Sequence, residues 1–401
     1  MIVAAPSETI YARNDVFCAT LDDNYLLWSS TERRLHVLNR TAGAVWEAAS
    51  RHRSRADVVA HVANVYGLDS GGAPAGEIAR DIDSLLDRFL DAGLCSLAAP
   101  ISPTAVDAPV AQPAMHPVPA RDFLHPFSVW GVTIMLSCND EALSDELARI
   151  LHSLQDRSID LDAPGKQGPI VRLHVARDAN TWSVYRDGTL ITQVSQPSNA
   201  LRAVLRECNG APLERQSSNV VFHAAGADLG SGQVLFPGVS NAGKSTLITQ
   251  LVQRGHGYLS DEAIAVSLSS LHAQPFHKAI CLEKGAQAMF GELEPQSALT
   301  QTWDVDPRGV GPGRLSSGGP ICAIVFPEFR ADAALECTPL SPFETLQGLL
   351  ANAFEFRTIG QACFTAMVAL AGSTPAHRLV HPGGEAAVDH VEALLGGADC
   401  S

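Results

Sequence analysis

Residues 233–253 read QVLFPGVSNAGKSTLITQLVQ: an apolar run, a Gly-bearing turn at 238–246, then apolar residues at Leu247, Ile248, Leu251 and Val252. The run predicts a strand and the spacing that follows predicts a helix. GVSNAGKST therefore fits G-x-x-x-x-G-K-S/T in the strand-turn-helix context that gives this pattern its meaning. Gly238 and Gly243 permit backbone conformations that turn successive N–H groups inward, so that 238–246, including Ser240, Asn241 and Ala242, forms a nest for an anion. Lys244 sets a positive charge against the β- and γ-phosphates, Ser245 offers a hydroxyl to Mg²⁺, and a helix from Thr246 adds its N-terminal dipole. The expected ligand is ATP with Mg²⁺.

Behind this loop, RGHGYLSDEAIAV (254–266) puts Asp261 and Glu262 at the end of a short strand-like run. Two acids there divide the labour, one holding Mg²⁺ and the other taking a proton from an incoming hydroxyl. They follow Lys244 by only 17 and 18 residues. In motor and transport ATPases the corresponding acids lie much farther along, so the short spacing discriminates between classes.

The chain has 401 residues, of which 46% are hydrophobic and 18% charged, a globular composition long enough for two or three domains. Its apolar runs fall short of the ~18 residues of a membrane span. The start, MIVAAPSETIYARND, lacks a basic segment followed by a long apolar one, so a cytoplasmic protein is expected. Nine scattered cysteines without CxxC predict reduced thiols, and 14 histidines without HExxH predict no structural metal. A net charge of −15 argues against nucleic acid as partner.

PISPTAVDAPVAQPAMHPVP (100–119) carries six prolines and no apolar period. It reads as a linker over 99–119, joining a domain at 1–98 to one at 120–401, or else as a long loop within one domain. In the first part, FCATLDDNYLLWSS and RRLHVLN predict two strands with a turn at Thr31 and Glu32. TAGAVWEAAS, ADVVAHVANVYG and EIARDIDSLLDRFLDAGL predict three helices, with Asn39 or Thr41 capping the first, Ser54 and Asp57 the second, and Gly93 stopping the third. Arg33, Arg34, Arg40, Arg51, Arg53 and Arg55 crowd this region. They either steer an acidic peptide or form a solvated basic face.

The run LNRTAGAVWEAA, ADVVAHVANVYGLD, DIDSLLDRFLDAGL resembles the PqqD family of peptide chaperones, winged-helix α+β modules that recognise precursor peptides of ribosomally made natural products. The resemblance covers residues 8–97 and implies a peptide added as an extra strand to a sheet edge.

The loop, the close acids and R-G-H-x-x-x-S-D-E resemble the HPr kinase/phosphorylase superfamily and its peptide-kinase relatives. His223, 15 residues ahead of Gly238, matches a histidine of that family. The resemblance implies an α/β P-loop kinase core at 216–401, preceded by a small α/β flanking subdomain at 120–215. It also implies Asp261 as general base, His223 orienting it, and Ser245 with Glu262 at the metal, where Asp261 also stands as a ligand. PICAIVFPEFR and LSPFETLQGLLANAF match a closing strand and helix. Residues 291–320, rich in Gly, Pro and Ser, hold Arg308 and Arg314 and read as a mobile loop that closes over the phosphate, or as a disordered surface loop. HAQPFHKAICLEKG, taken as helical, lacks the family's Pro-Arg-Pro and has His277 and Lys278 there instead. The different N-terminal domain, and a downstream signature of which only PRGVGPGR stands here, put reverse phosphorylase activity and HPr as substrate in doubt.

The leading expectation is a peptide kinase acting on a Ser or Thr hydroxyl of a precursor peptide, in a chain that either works alone or self-associates. Its rivals are a nucleotide-dependent regulatory or chaperone ATPase and a small-molecule kinase.

Overall fold

Near the N-terminus the chain runs as a meander of three strands where two were expected. The computed structural model describes residues 9–51, 54–67, 73–99, 123–154, 168–283, 286, 289–295, 299, 303–354 and 360–395. The expected linker, and Arg53, lie outside them. Strand β1 (Tyr11–Ala12) is followed by β2 (Val16–Leu21), β3 (Asn24–Ser29) and β4 (Arg34–Leu38), the last three forming one antiparallel sheet. Asp22 turns the chain between β2 and β3 at φ 51, a conformation Asp tolerates. FCATLDDNYLLWSS is therefore itself a hairpin; its polarity pattern runs on through the turn and hides the break.

Helices α1 (Arg40–Ala49), α2 (Arg55–Val65) and α3 (Ala73–Asp91) follow, and β5 (Cys95–Ser96) pairs back on β1. Asn39 Oδ1 accepts the Ala42 N–H at 2.9 Å, while Thr41 falls inside the helix. Ser54 accepts from the Asp57 N–H and donates to Asp57 Oδ2 at 2.6 Å, and Gly93 ends the third helix at φ 65. The apolar stripe of α3 places Phe89 edge-on to Trp46, 5.8 Å between ring centres, in a core shared with Ile10, Leu27 and Val62.

Farther along the chain, β6 (Phe123–Val129), β7 (Val132–Cys138), β8 (Ile170–Asp178), β9 (Thr181–Arg186) and β10 (Thr189–Val194) form a five-stranded sheet covered by α4 (Glu141–Ile150) and α5 (Pro197–Arg215). Asp140 caps α4, accepting from the Leu143 N–H at 3.2 Å, the Trp182 indole at 2.8 Å and Arg177 at 3.1 Å. Burial alone would raise its pKa, but these donors outweigh it and hold it below the usual carboxylate value. A depressed folded-state pKa stabilises above the unfolded value and is lost as pH falls through the folded one. Asp140→Asn should therefore cost about 1–3 kcal/mol at pH 7, with the gap from wild type closing below pH 3.8; urea unfolding across pH checks it.

The second sheet has the order β15-β14-β11-β12-β18-β20-β19, with β13 also on β11. Its strands are β11 (Asn219–Asp228), β12 (Gln233–Pro237), β13 (Gly257–Ser260), β14 (Ala263–Ser267), β15 (Ala273–Gln274), β18 (Ile321–Phe329), β19 (Glu336–Pro339) and β20 (Ala376–His381). A separate pair, β16 (Ile280–Leu282) and β17 (Trp303–Val305), lies between them in sequence. Helices α6 (Lys244–Gln253), α7 (Pro342–Asn352), α8 (Gln361–Ser373) and α9 (Glu385–Leu395) complete the chain. Strands β12, β18 and β20 are parallel, and the carboxyl ends of parallel strands are where an open α/β sheet presents a crevice.

Four expectations change. The chain divides into Met1–Pro109 with Arg357–Gly372, and Val110–Phe356 with Ser373–Ser401, so most of α8 joins the first unit. In that unit Gln361 takes both backbone groups of Cys18 on the outer edge of β2, at 3.1 Å and 2.7 Å. Residues 303–320 are not a loose loop: Trp303, Val305 and Val310 are buried and the Tyr258 N–H donates to the Arg314 carbonyl at 2.7 Å. The glycines there serve close approach, since a Cβ on Gly313 would stand 2.4 Å from the His256 carbonyl oxygen. HAQPFHKAICLEKG is extended over β15 and β16 rather than helical, the prolyl ring at Pro275 opposing a helix. Cys322 is disulfide-bonded, so the expectation of reduced thiols fails there. Among the described residues no helix is long and apolar enough to cross a membrane.

Candidate functional site

The loop between β12 and α6 opens onto a cleft of about 500 Å³ whose lining includes His223, Lys244, Ser245, Asp261 and Glu262. The fully buried QVLFP strand fixes one end of the loop, and the Gly238 N–H donates to the His223 carbonyl at 3.2 Å, tying β11 to the turn. Gly243 caps the helix at φ 87, so α6 begins at Lys244, two residues earlier than expected. Asn241 also lies at positive φ, 67, and with its amide turned to donate it reaches Glu283 at 2.8 Å.

Lys244 is 6% exposed and folds over the loop, its Nζ donating to the carbonyls of Gly238 (2.6 Å) and Val239 (2.8 Å). Burial pulls its pKa down to about 8, with Asp261 and Glu262 opposing. His223 is half-buried beside Phe354; burial first, then Lys244, lower its pKa, which leaves a neutral imidazole at pH 7.

The two acids stand in different states. Asp261 is buried, and Oδ2 accepts from Ser245 Oγ at 3.1 Å and the Cys281 N–H at 3.0 Å. Its Oδ1 lies 2.8 Å from Lys278 Nζ and 3.1 Å from the Tyr258 hydroxyl, which shares its single proton with the Lys278 carbonyl. Asp261 thus has no open lone pair to offer an incoming hydroxyl. The Glu262 side chain is 46% exposed, with Lys278 Nζ 3.3 Å from Oε2. Burial opposes the charge on Lys278, yet the two carboxylates override it and hold its pKa above the ordinary value. Ser245 Oγ and the open carboxylate of Glu262 supply the hard oxygen donors that Mg²⁺ prefers, with Asp261 behind Ser245, so these residues fit that ion. Among the described residues no group of three or more His, Cys, Asp or Glu is poised to hold a metal.

The structure brings Ser240, Asn241, Gly243, Lys244, Ser245 and Thr246 to one cleft with His223, Asp261 and Glu262, with Lys278 on both acids, whereas Gly238 and Ala242 do not line it. It does not bring the two arginines: Arg308 engages Asp306 and His152, and Arg314 stands 3.5 Å from Asp228 and is 74% exposed, neither lining the cleft. Arg33, Arg34 and Arg40 are exposed around β4 and the start of α1, whereas Arg55 is committed to Asp83 and Asp87 across α2 and α3. Sequence reasoning missed Tyr258, Cys281, Phe329 and His381. Tyr258 alone carried a signal, as a polar-tipped aromatic in the strand leading to the acids.

Residues 5–94 match the family described as coenzyme PQQ synthesis protein D (PqqD), and the chain carries a PqqD-like domain at its N-terminus. A solved structure titled "TbiB1 in Complex with the TbiA(beta) Leader Peptide" is 17% identical, covering 22% of this chain and 98% of that one, with a TM-score of 0.20. No curated protein matches the sequence.

Proposed function

We propose that this chain is an ATP-dependent phosphotransferase of the HPr-kinase-like kind, acting on a Ser or Thr hydroxyl of a ribosomally made precursor peptide during natural-product maturation. The observation that carries the reading is the pair of unlike acids beside Lys244 and Ser245: one saturated with donors, the other open. A regulatory switch needs only to position water; an open carboxylate next to a phosphate loop suits an alcohol that must lose its proton.

In this reading Lys244 leaves the loop carbonyls for the β- and γ-phosphates, and the loop N–H groups and the α6 dipole hold the phosphate chain. Ser245, anchored by Asp261, and Glu262 would hold Mg²⁺, which neutralises phosphate charge. Lys278 keeps both carboxylates in place. The acceptor oxygen forms a bond to the γ-phosphorus as the bond to the β-γ bridging oxygen breaks, and the hydroxyl proton passes to Glu262. ADP and a phosphopeptide result. Asp261 thereby becomes an anchor rather than the base, and neutral His223 orients the acceptor side.

The PqqD match supports peptide capture by the first unit. Gln361 already takes the β2 edge, whereas β4 pairs only with β3 among the described residues. An extended acidic peptide would add along β4, beside Arg33, Arg34 and Arg40. The test is intact mass: short peptides encoded beside this chain are incubated with the full protein, ATP and Mg²⁺. One of them should gain a single phosphoryl group; ATP consumption with no peptide gaining mass would favour a peptide-handling ATPase instead.

A further inference from the structure

On the side of the cleft formed by the ends of β18 and β20, a histidine that no motif marks faces the phosphate loop. His381 is the last residue of β20, in register with Phe329 of the parallel β18. It is 2% exposed, yet it lines the cleft with Lys244, Ser245 and Gly243. Its Nδ1 accepts the Gly383 N–H at 3.1 Å, which puts the proton of a neutral imidazole on Nε2. That nitrogen has no hydrogen-bond partner. A Cβ built on Gly243 would stand 3.0 Å from His381 Cε1 and 3.2 Å from Nε2, so the imidazole edge lies directly against the residue that caps α6. The Phe329 ring meets the imidazole at a steep angle, 5.9 Å between centres, and fixes its plane.

Buried donors are almost always satisfied, and one left without a partner beside an anion nest has an obvious acceptor in a phosphate oxygen. We propose that His381 is a direct ligand of the nucleotide's phosphate chain, donating from Nε2; this rests on the nucleotide-binding reading above. Burial lowers the pKa of His381, with the Ala242 backbone, close by but outside hydrogen-bond geometry, pulling the other way, which agrees with a neutral donor at pH 7. A neutral donor binds phosphate without adding a charge that would draw Asp261 or Glu262 away from their partners. His381 also explains why position 243 admits no side chain beyond its left-handed φ.

The test is calorimetric titration of the full chain with Mg²⁺ and either ATP or inorganic tripolyphosphate. Wild type should bind both. His381→Phe, which keeps the ring and removes the donor, should weaken both by about 10- to 100-fold, and His381→Gln, which restores an N–H, should recover much of that loss. Thermal melts of both variants establish that they are folded. Binding of both probes by His381→Phe within twofold of wild type would overturn the assignment. A loss for ATP alone would overturn it too, by placing the contact on the nucleoside. Failure of wild type to bind either probe would instead remove the nucleotide-binding reading, and this inference with it.

Discussion

Lys244→Met will abolish ATP-dependent activity while leaving the protein as stable as wild type or more so. The two halves of that expectation come from one observation. Lys244 is almost wholly buried, and burial lowers its pKa to about 8, so at neutral pH its charge is held against a desolvation cost in the ligand-free protein. Its hydrogen bonds there go to two loop carbonyls, groups that water in the open cleft can serve. Methionine keeps most of the stem and removes the charge, so the melting temperature should hold or rise. With phosphate present the balance reverses: each charge-assisted hydrogen bond lost costs about 1.5–3 kcal/mol, and the developing transition-state charge loses its nearest cation, together about 10²- to 10³-fold or more in transfer. Differential scanning fluorimetry with ATP titration reads both halves. Retention of wild-type ATP affinity by a folded Lys244→Met protein would defeat the assignment of this loop.

The loop itself was legible because its geometry is written in consecutive residues. A nest needs glycines at fixed places, and a helix must start at once, so GVSNAGKST between an apolar strand and an amphipathic helix carries its own geometry. The three helices of the first unit were legible for the same reason: caps at Asn39 and Ser54 and the stop at Gly93 are local. What escaped were features made by chain segments far apart. Lys278 and Cys281 reach Asp261 from 17 and 20 residues away, and His381 meets Gly243 across two parallel strands. Glycine in 303–320 misled, since composition cannot separate a glycine that moves from one that lets backbones touch, as at Gly313 against His256. The Asp22 turn misled in the opposite way, a non-glycine residue taking a left-handed φ that its short side chain permits.

Paired substitutions of the adjacent acids will separate roles that proximity alone cannot. Glu262→Gln should keep the fold, because its one ion pair is half-exposed, 3.3 Å long and worth little to stability, while needing more Mg²⁺ to bind ATP because a carboxylate ligand of the ion is lost. It should nonetheless lose about 10²- to 10⁴-fold in single-turnover transfer, the usual contribution of a positioned base. Asp261→Asn should behave differently. It leaves Lys278 Nζ, whose side chain is 12% exposed, without its closest carboxylate, holding only the Ala279 carbonyl at 3.0 Å and the longer contact to Glu262, and it weakens the hold on Ser245 Oγ. Stranding a buried charge costs about 3–5 kcal/mol, so this variant should melt well below wild type and need more Mg²⁺ to bind ATP. Lys278→Met in the Asp261→Asn background should restore much of that stability without restoring transfer, which ties the loss to the stranded ammonium. If Glu262→Gln transfers at the wild-type rate while Asp261→Asn is stable but inactive, the proton goes to Asp261 after all, and the donors around it must loosen when nucleotide enters.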